Sequence, residues 1–372
     1  MENSDTDFTV IEKPVMRAMK RAYVKLGRHL DNRSQFVNDI LESSKSIISK
    51  FAKCLNSEIY FTKSISDSNY LSILSLLEGK NLGKHIITSV IEPRENLELF
   101  KLLENQGFFV SYIPVDKEGI IDLDTLIRSI NNETCLISIT HTNIETGVIQ
   151  PLEKIISICQ SKNIKLHSDL SSSFGRIPLK VKDIDTFTFP SNEILGPKRL
   201  SVAIIKNQVS DNLISKYCLD FSTDNIALIA GVAKACKLTF SSMSKEFNRI
   251  SRLRDNLVKQ LSLHFDGIYF NGLSEKSSPY IINFCVKGLE GLSQKLLIDL
   301  NQSNTIFSAQ TDCISEHNEP SHVLQAMGLG DYESLGAVRI ILNRLTNLKE
   351  TETIYNLLRK SLNTTKSLFS LI

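Results

Sequence analysis

Apolar positions recur along this chain at two periods, and the alternation of the two outlines an α/β protein. Val37, Ile40, Leu41, Ile48, Phe51, Ala52 and Leu55 fall on one face at helical spacing. A strand-like run at 58–61 follows, and then a helical segment from about Asp67. Beyond it the pattern predicts strands at 85–89, 107–113, 134–140, 163–168, 185–189 and 201–206. Helices at 94–105, 123–131 and 151–161 interleave with the earlier of these. Such alternation implies a mostly parallel sheet with helices on both faces and right-handed crossovers. Ligands of such sheets sit beyond the carboxyl ends of the strands.

The pattern changes after the last of these strands. Residues 225–263 read as one long helical stretch. A different mixture follows: strand-like runs at 268–270, 279–286 and 337–342, with helices at 291–301, 320–328 and 349–361. This predicts a smaller α+β domain hung on the long helix, with the boundary near residue 250.

Composition narrows the class without changing this picture. The chain has 372 residues, enough for two domains, and 42% apolar with 23% charged residues is ordinary for a globular protein. A net charge of +2, with no basic block, gives no nucleic-acid signal. No uninterrupted apolar run approaches bilayer-spanning length, and the acidic N-terminus has no signal or transit pattern, so a cytoplasmic protein without a membrane partner is expected. The seven cysteines form no Cys-x-x-Cys pair, which argues against a disulfide framework or a zinc site. Most read as small core residues; only Cys313 stands in a polar, loop-like context.

Three segments carry candidate chemistry. The first is Asn143-Ile-Glu-Thr-Gly-Val-Ile-Gln-Pro151. The second is His167-Ser-Asp-Leu-Ser-Ser-Ser-Phe-Gly-Arg-Ile-Pro178, followed by Phe189-Pro-Ser-Asn-Glu-Ile-Leu-Gly-Pro-Lys198. The third is Cys313-Ile-Ser-Glu-His-Asn-Glu-Pro-Ser-His-Val-Leu324, with Val338-Arg-Ile-Ile-Leu-Asn-Arg344 after it. Together, in this order and spacing, they resemble the cysteine desulfurases of the NifS/IscS type, in the class V aminotransferase group, from Pro14 to about Leu362. The resemblance implies the large α/β domain of pyridoxal-phosphate enzymes at 15–250. It also implies a small α+β domain made of 1–14 and 251–372, a homodimer, and a role in sulfur or iron–sulfur metabolism. Members hold pyridoxal phosphate as an imine on a lysine, and the cofactor supplies the carbanion chemistry.

Read onto this chain, the resemblance implies that most cofactor-holding groups are replaced. The imine lysine falls at Glu193, and a carboxylate forms no imine. The ring-stacking histidine falls at Pro93, the asparagine facing the ring hydroxyl at Ile144, and a nearby glutamine at Ser172. The Ser-Gly-Ala-Thr phosphate cup reads Lys63-Ser64-Ile65-Ser66. Lys198 belongs to the family's own Gly-Pro-Lys turn, whose register keeps it from standing in for the lost lysine. Four counterparts remain: Asp169 at the ring-nitrogen position, Thr223 at a phosphate position, Arg339 at the substrate carboxylate, and Cys313 as sulfur acceptor; Ser66 of the altered cup is a further remnant that could still bind an anion with Thr223.

Each remnant has a plainer reading. Asp169 is also a carboxylate at a strand end, and Cys313 also an inherited loop cysteine. Arg339 also suits a structural ion pair, and His141 and His167 read as structural histidines. The expectation is a desulfurase-like pseudoenzyme with no cofactor, Glu193 in the lysine's place and Cys313 vestigial. It would act by binding, as a homodimer or as the partner of an active desulfurase or sulfur-transfer protein. The alternative is a diverged pyridoxal-phosphate enzyme. A buried Glu193 needs a counter-charge; Lys63 could reach in to supply it, unless the pocket is wet and the carboxylate hydrated.

Overall fold

The helical face at 37–55 folds as α2 (Arg33–Ala52), preceded by α1 (Lys13–Arg28). Both lie along α8 (Thr223–His264), and Val15, Leu26, Ile48 and Ala52 enter the main core between them. The computed structural model describes residues 11–28, 33–78, 83–220, 222–274, 276–288 and 320–369. The helix expected at 291–301, and Cys313, lie outside the described residues.

Seven strands form the large sheet: β1 (Ile59–Thr62), β2 (His85–Ser89), β3 (Phe109–Ile113), β4 (Thr134–Ser138), β5 (Lys165–Asp169), β6 (Thr186–Pro190) and β7 (Ser201–Ile205). Their order is β1-β7-β6-β5-β4-β2-β3. The five from β3 to β6 are parallel, as the alternation predicts. β7 runs antiparallel to both β6 and β1. The chain between β6 and β7 is too short for a helical crossover, so it turns back on itself, with Ser191 N–H donating to Leu200 O at 2.9 Å. Helices α3 (Ile65–Leu77), α4 (Arg94–Asn105), α5 (Leu123–Ser129) and α6 (Leu152–Lys162) connect the strands. Every residue of β2, β6 and β7 is buried, as strands covered on both faces require.

Two short helices escape the periodicity reading: α7 (Asp211–Tyr217) and α10 (Asp331–Leu335). The helix expected at 320–328 is shorter, α9 (His322–Ala326). A second, antiparallel sheet contains β8 (Ile268–Phe270), β9 (Ile281–Val286) and β10 (Val338–Ile341), in the order β10-β9-β8. Its core joins Ile282, Phe284 and Ile340 to Ile250, Leu257 and Leu261 of α8 and to Leu358 of α11 (Leu348–Phe369). One end of α8 (Ile226, Val232, Cys236) thus serves the first core and the other end the second. Near the N-terminus, Ile11 packs on the first core while Glu12 reaches Arg344, just beyond β10.

One expectation needs correction here. Within Asp224–His264 an 18-residue window has a mean hydropathy of 1.4, long and apolar enough to cross a membrane. Half of that window is buried, and α1 and α2 pack along the same helix.

Candidate functional site

The carboxyl ends of β2, β4 and β5 open onto a cavity of about 400 Å³. Its floor is Asp169, the last residue of β5, which is buried. Asn69 Nδ2 donates to Asp169 Oδ2 at 2.8 Å, and Ser171 donates to Oδ1 through its N–H (2.8 Å) and its hydroxyl (2.5 Å). Asn69 is itself held by Thr188 Oγ1 at 2.5 Å. Burial raises the Asp169 pKa, and the bonds from Ser171 and Asn69 oppose that rise. Ser66, in the first turn of α3, borders the same cavity, so the fold brings these two sequence candidates together; Ser172, where the resemblance puts a glutamine, borders it too.

Glu92 forms a second buried carboxylate in the wall. It accepts from Ser89 Oγ (2.7 Å), Thr140 Oγ1 (2.6 Å) and Thr140 N–H (3.0 Å), which ties the end of β2 to the chain after β4. Burial nevertheless pushes its pKa up to about 7 from 4.5, and the charge of Asp169 adds to the rise. His141 and His167 behave as structural histidines. Nδ1 of His141 lies 2.7 Å from Ser173 Oγ, and Nδ1 of His167 lies 3.0 Å from Thr186 Oγ1. Burial lowers them to about 4 and about 3, so both are neutral near pH 7.

Other candidates stand elsewhere. Glu193 lies in a single 3₁₀ turn (Asn192–Ile194) and borders a different, much smaller space beside Tyr280 and Arg344. Its Oε2 is 2.6 Å from Nη1 of Arg176, and neither side chain is more than 17% exposed. The Arg176 guanidinium also stands 5.4 Å from the Tyr280 ring centre. Lys63 is exposed, close enough to Asp220 to lower that carboxyl's pKa; of the two readings left open for Glu193, neither the Lys63 pair nor a lone hydrated carboxylate holds, since Arg176 supplies the counter-charge. Arg176 is nearer in the fold and carries the stronger, forked donor. The turn is fixed by Gly196: its N–H donates to Ser191 O at 2.9 Å, and an added Cβ would meet Ser191 Oγ at 2.2 Å. Lys198, beyond this turn, is exposed.

Arg339 is almost fully buried in β10 and donates from Nη1 to Ile144 O at 3.1 Å. It therefore lies behind the Ile144–Glu145 backbone rather than on the cavity wall, and Asn283, its neighbour across the sheet, donates to Glu145 O at 3.0 Å. Thr223 opens α8, but its side chain lies outside the described residues, as does Cys313. The second sheet's half of the chain reaches the cavity through Ser321 and His322: Ser321 Oγ donates to Glu145 Oε2 at 2.5 Å, and His322 Nε2 lies 3.0 Å from Glu92 O.

At the start of α3, where the resemblance puts a phosphate, the helix end is already closed. Ser64 Oγ accepts from Asp67 N–H (3.0 Å) and donates to the Asp67 carboxylate (2.8 Å). Negative charge in that first turn uses the helix dipole that an anion would need. Sequence reasoning missed Asn69, Asn96 and the role of Arg176. The last stands in a quoted motif, seventeen positions before Glu193, but its direction is visible only in three dimensions.

The aminotransferase class-V family profile matches residues 8–352. The cysteine desulfurase IscS of Clostridium botulinum is 32% identical over 323 residues, covering 84% of this chain and 81% of that protein. The IscS of Rickettsia africae is 30% identical over 364 residues, covering 94% and 88%. Among solved structures, a NifS-like protein aligns with a TM-score of 0.83 at 24% identity, over 95% of this chain and 97% of the other. A NifS-like protein from Rickettsia africae aligns with a TM-score of 0.77 at 21% identity, over the same shares. These two establish likeness of fold.

Proposed function

This chain belongs to the class V aminotransferase family, among its NifS/IscS-type cysteine desulfurases, and from that membership we propose that it keeps the desulfurase scaffold without the desulfurase reaction. It is a binding protein that carries no imine-linked pyridoxal phosphate. One observation carries this reading above the others. Glu193 stands where the resemblance puts the imine lysine, and its carboxylate is spent on Arg176, away from the cavity that contains Asp169. An imine needs an amine as nucleophile, and no lysine borders that cavity among the described residues.

The remaining walls do not fit pyridoxal phosphate either. Ser64 and Asp67 occupy the helix end that would hold the phosphate, and Pro93 offers no aromatic face to the ring. No step is therefore routed through the cofactor. What the chain's own residues do is structural and receptive: Asn69 and Ser171 hold Asp169 rigid, while Ser321 on the Glu145 carboxylate and His322 on the Glu92 carbonyl oxygen tie the two halves of the chain beside the cavity. A dimer, of this chain with itself or with an active desulfurase, is the assembly this reading implies; α1 leaves Met16 and Tyr23 more than half exposed for it. Asp169, retained and buried, is the observation that favours the second reading, a diverged enzyme of the same family. Sulfide release from free cysteine, assayed with added pyridoxal phosphate and a thiol reductant to discharge any persulfide, separates the two. None is expected, and turnover dependent on the cofactor would establish the enzyme.

A further inference from the structure

Two buried polar side chains beside the cavity have no hydrogen-bond partner among the described residues. Asn96, in the first turn of α4, leaves both its amide nitrogen and its amide oxygen unpaired at 0% exposure. Ser172 leaves its hydroxyl unpaired at 1% exposure. Both residues border the cavity of about 400 Å³. Buried polar atoms are nearly always bonded, to protein or to whatever the site holds.

The same cavity concentrates negative charge. Asp169, Glu92, Glu95 and Glu145 border it, against Arg94 and His322. The charge of Asp169 disfavours ionisation of Glu92, and that of Glu95 disfavours ionisation of Asp169, on top of burial in both cases. Apolar groups make up much of the remaining wall: Ile65, Ile91, Pro93, Ile144 and Val323.

We propose that this cavity binds a small organic cation, an amine on an apolar body, with its N–H donors directed at Asp169 and the Ser172 hydroxyl. An ammonium brings three donors and the positive charge that the two buried carboxylates lack. Asp169 is already oriented by Asn69 and Ser171, which occupy one lone pair or two on each oxygen and leave acceptor capacity for a ligand. The apolar body rests against Ile144, Pro93 and Val323. Phosphorylated ligands are disfavoured by Asp67 at the start of α3. The inference rests on the reading above, since an amine can fill only a cavity that the family's cofactor leaves open.

The test is calorimetric titration of the full chain with benzylamine and, in parallel, with benzyl alcohol, the neutral analogue of the same shape. Benzylamine is expected to bind at least about tenfold more tightly than the alcohol, the range that a charge-assisted hydrogen bond supplies. Asp169→Asn should abolish that preference, and Ile144→Trp, which fills the cavity without altering a charge, should abolish binding of both. Equal binding of amine and alcohol, no binding of the amine, or amine binding untouched by Ile144→Trp would each overturn the proposal. These outcomes need no Asp169 variant, so a misfolded one leaves the test intact. A parallel sample incubated with pyridoxal phosphate keeps the two readings apart. A visible imine band there contradicts the proposed function itself, whereas its absence together with failed amine binding overturns only the cation.

Discussion

The ion pair between Arg176 and Glu193 is the contact most open to quantitative attack. The charged atoms are 2.6 Å apart, with side-chain exposures of 9% and 17%. At an effective dielectric of about 20 the gross attraction is about 6 kcal/mol, and desolvation of two charges offsets most of it. Removing one partner is another matter, because it strands the other charge. Arg176→Met should therefore destabilise the protein by about 3 kcal/mol, since Glu193 then stays buried without a counter-charge. Glu193→Gln should cost less, because the guanidinium keeps the Tyr280 ring face at 5.4 Å. The double variant should cost clearly less than the two single losses combined, giving a coupling of about 2 kcal/mol in a double-mutant cycle. Urea titrations followed by circular dichroism give the four stabilities. A coupling below about 0.5 kcal/mol would refute the reasoning. Glu193 would then be effectively hydrated, and nothing would hold it away from the cavity.

Other outcomes follow from the same geometry. Glu193→Lys alone should release no sulfide from cysteine, because Pro93, Ile144 and the closed start of α3 remain, and groups that act as a unit are strongly non-additive; activity within about tenfold of a working relative would contradict this. Stability should respond to acid through two opposed sets of groups. His141 and His167, held at about 4 and about 3, bind fewer protons folded than unfolded, so their contribution is lost as pH falls below 6.5. Glu92, raised from 4.5 to about 7, binds its proton earlier when folded, so its contribution grows as pH falls from 7 toward 4.5. Between pH 7 and 5, Glu92→Gln should thus steepen the acid loss and His141→Gln should make it shallower, as read from thermal midpoints at the two pH values; unchanged slopes would mean that neither group is buried in solution. Sedimentation should give a dimer at micromolar concentration, and a stable monomer would remove the interface from the account.

Much of the fold was legible because its signals are local. Strand and helix periods placed β2, α4, β4, β5 and the long α8 to within a few residues. The rule that ligands lie beyond the carboxyl ends of parallel strands led to the cavity floored by Asp169. Helix α1 carries a helical stripe too, in Val15, Met19, Ala22 and Leu26, but its many lysines and arginines mask the stripe in a simple polarity reading. The reversal at β7 is written in the shortness of the β6–β7 connection rather than in any strand's own composition. Side-chain direction was the part that could not be read. Glu193 sits in a turn from which it could face either space, and the choice is made by Arg176 and by the Gly196 contact with Ser191. Arg339, likewise, is a remnant in sequence but lies behind the Ile144–Glu145 backbone in space.

The central claim is that no lysine of this chain holds pyridoxal phosphate as an imine. Its most direct test is borohydride reduction of the full chain after incubation with pyridoxal phosphate, followed by peptide mass mapping. Reduction fixes any imine as a stable pyridoxyl-lysine at the residue that formed it. The account predicts no stoichiometric adduct at any single position, and at most scattered labelling of exposed lysines such as Lys63 and Lys198. A single, near-complete adduct on one lysine, Lys198 above all, would contradict it.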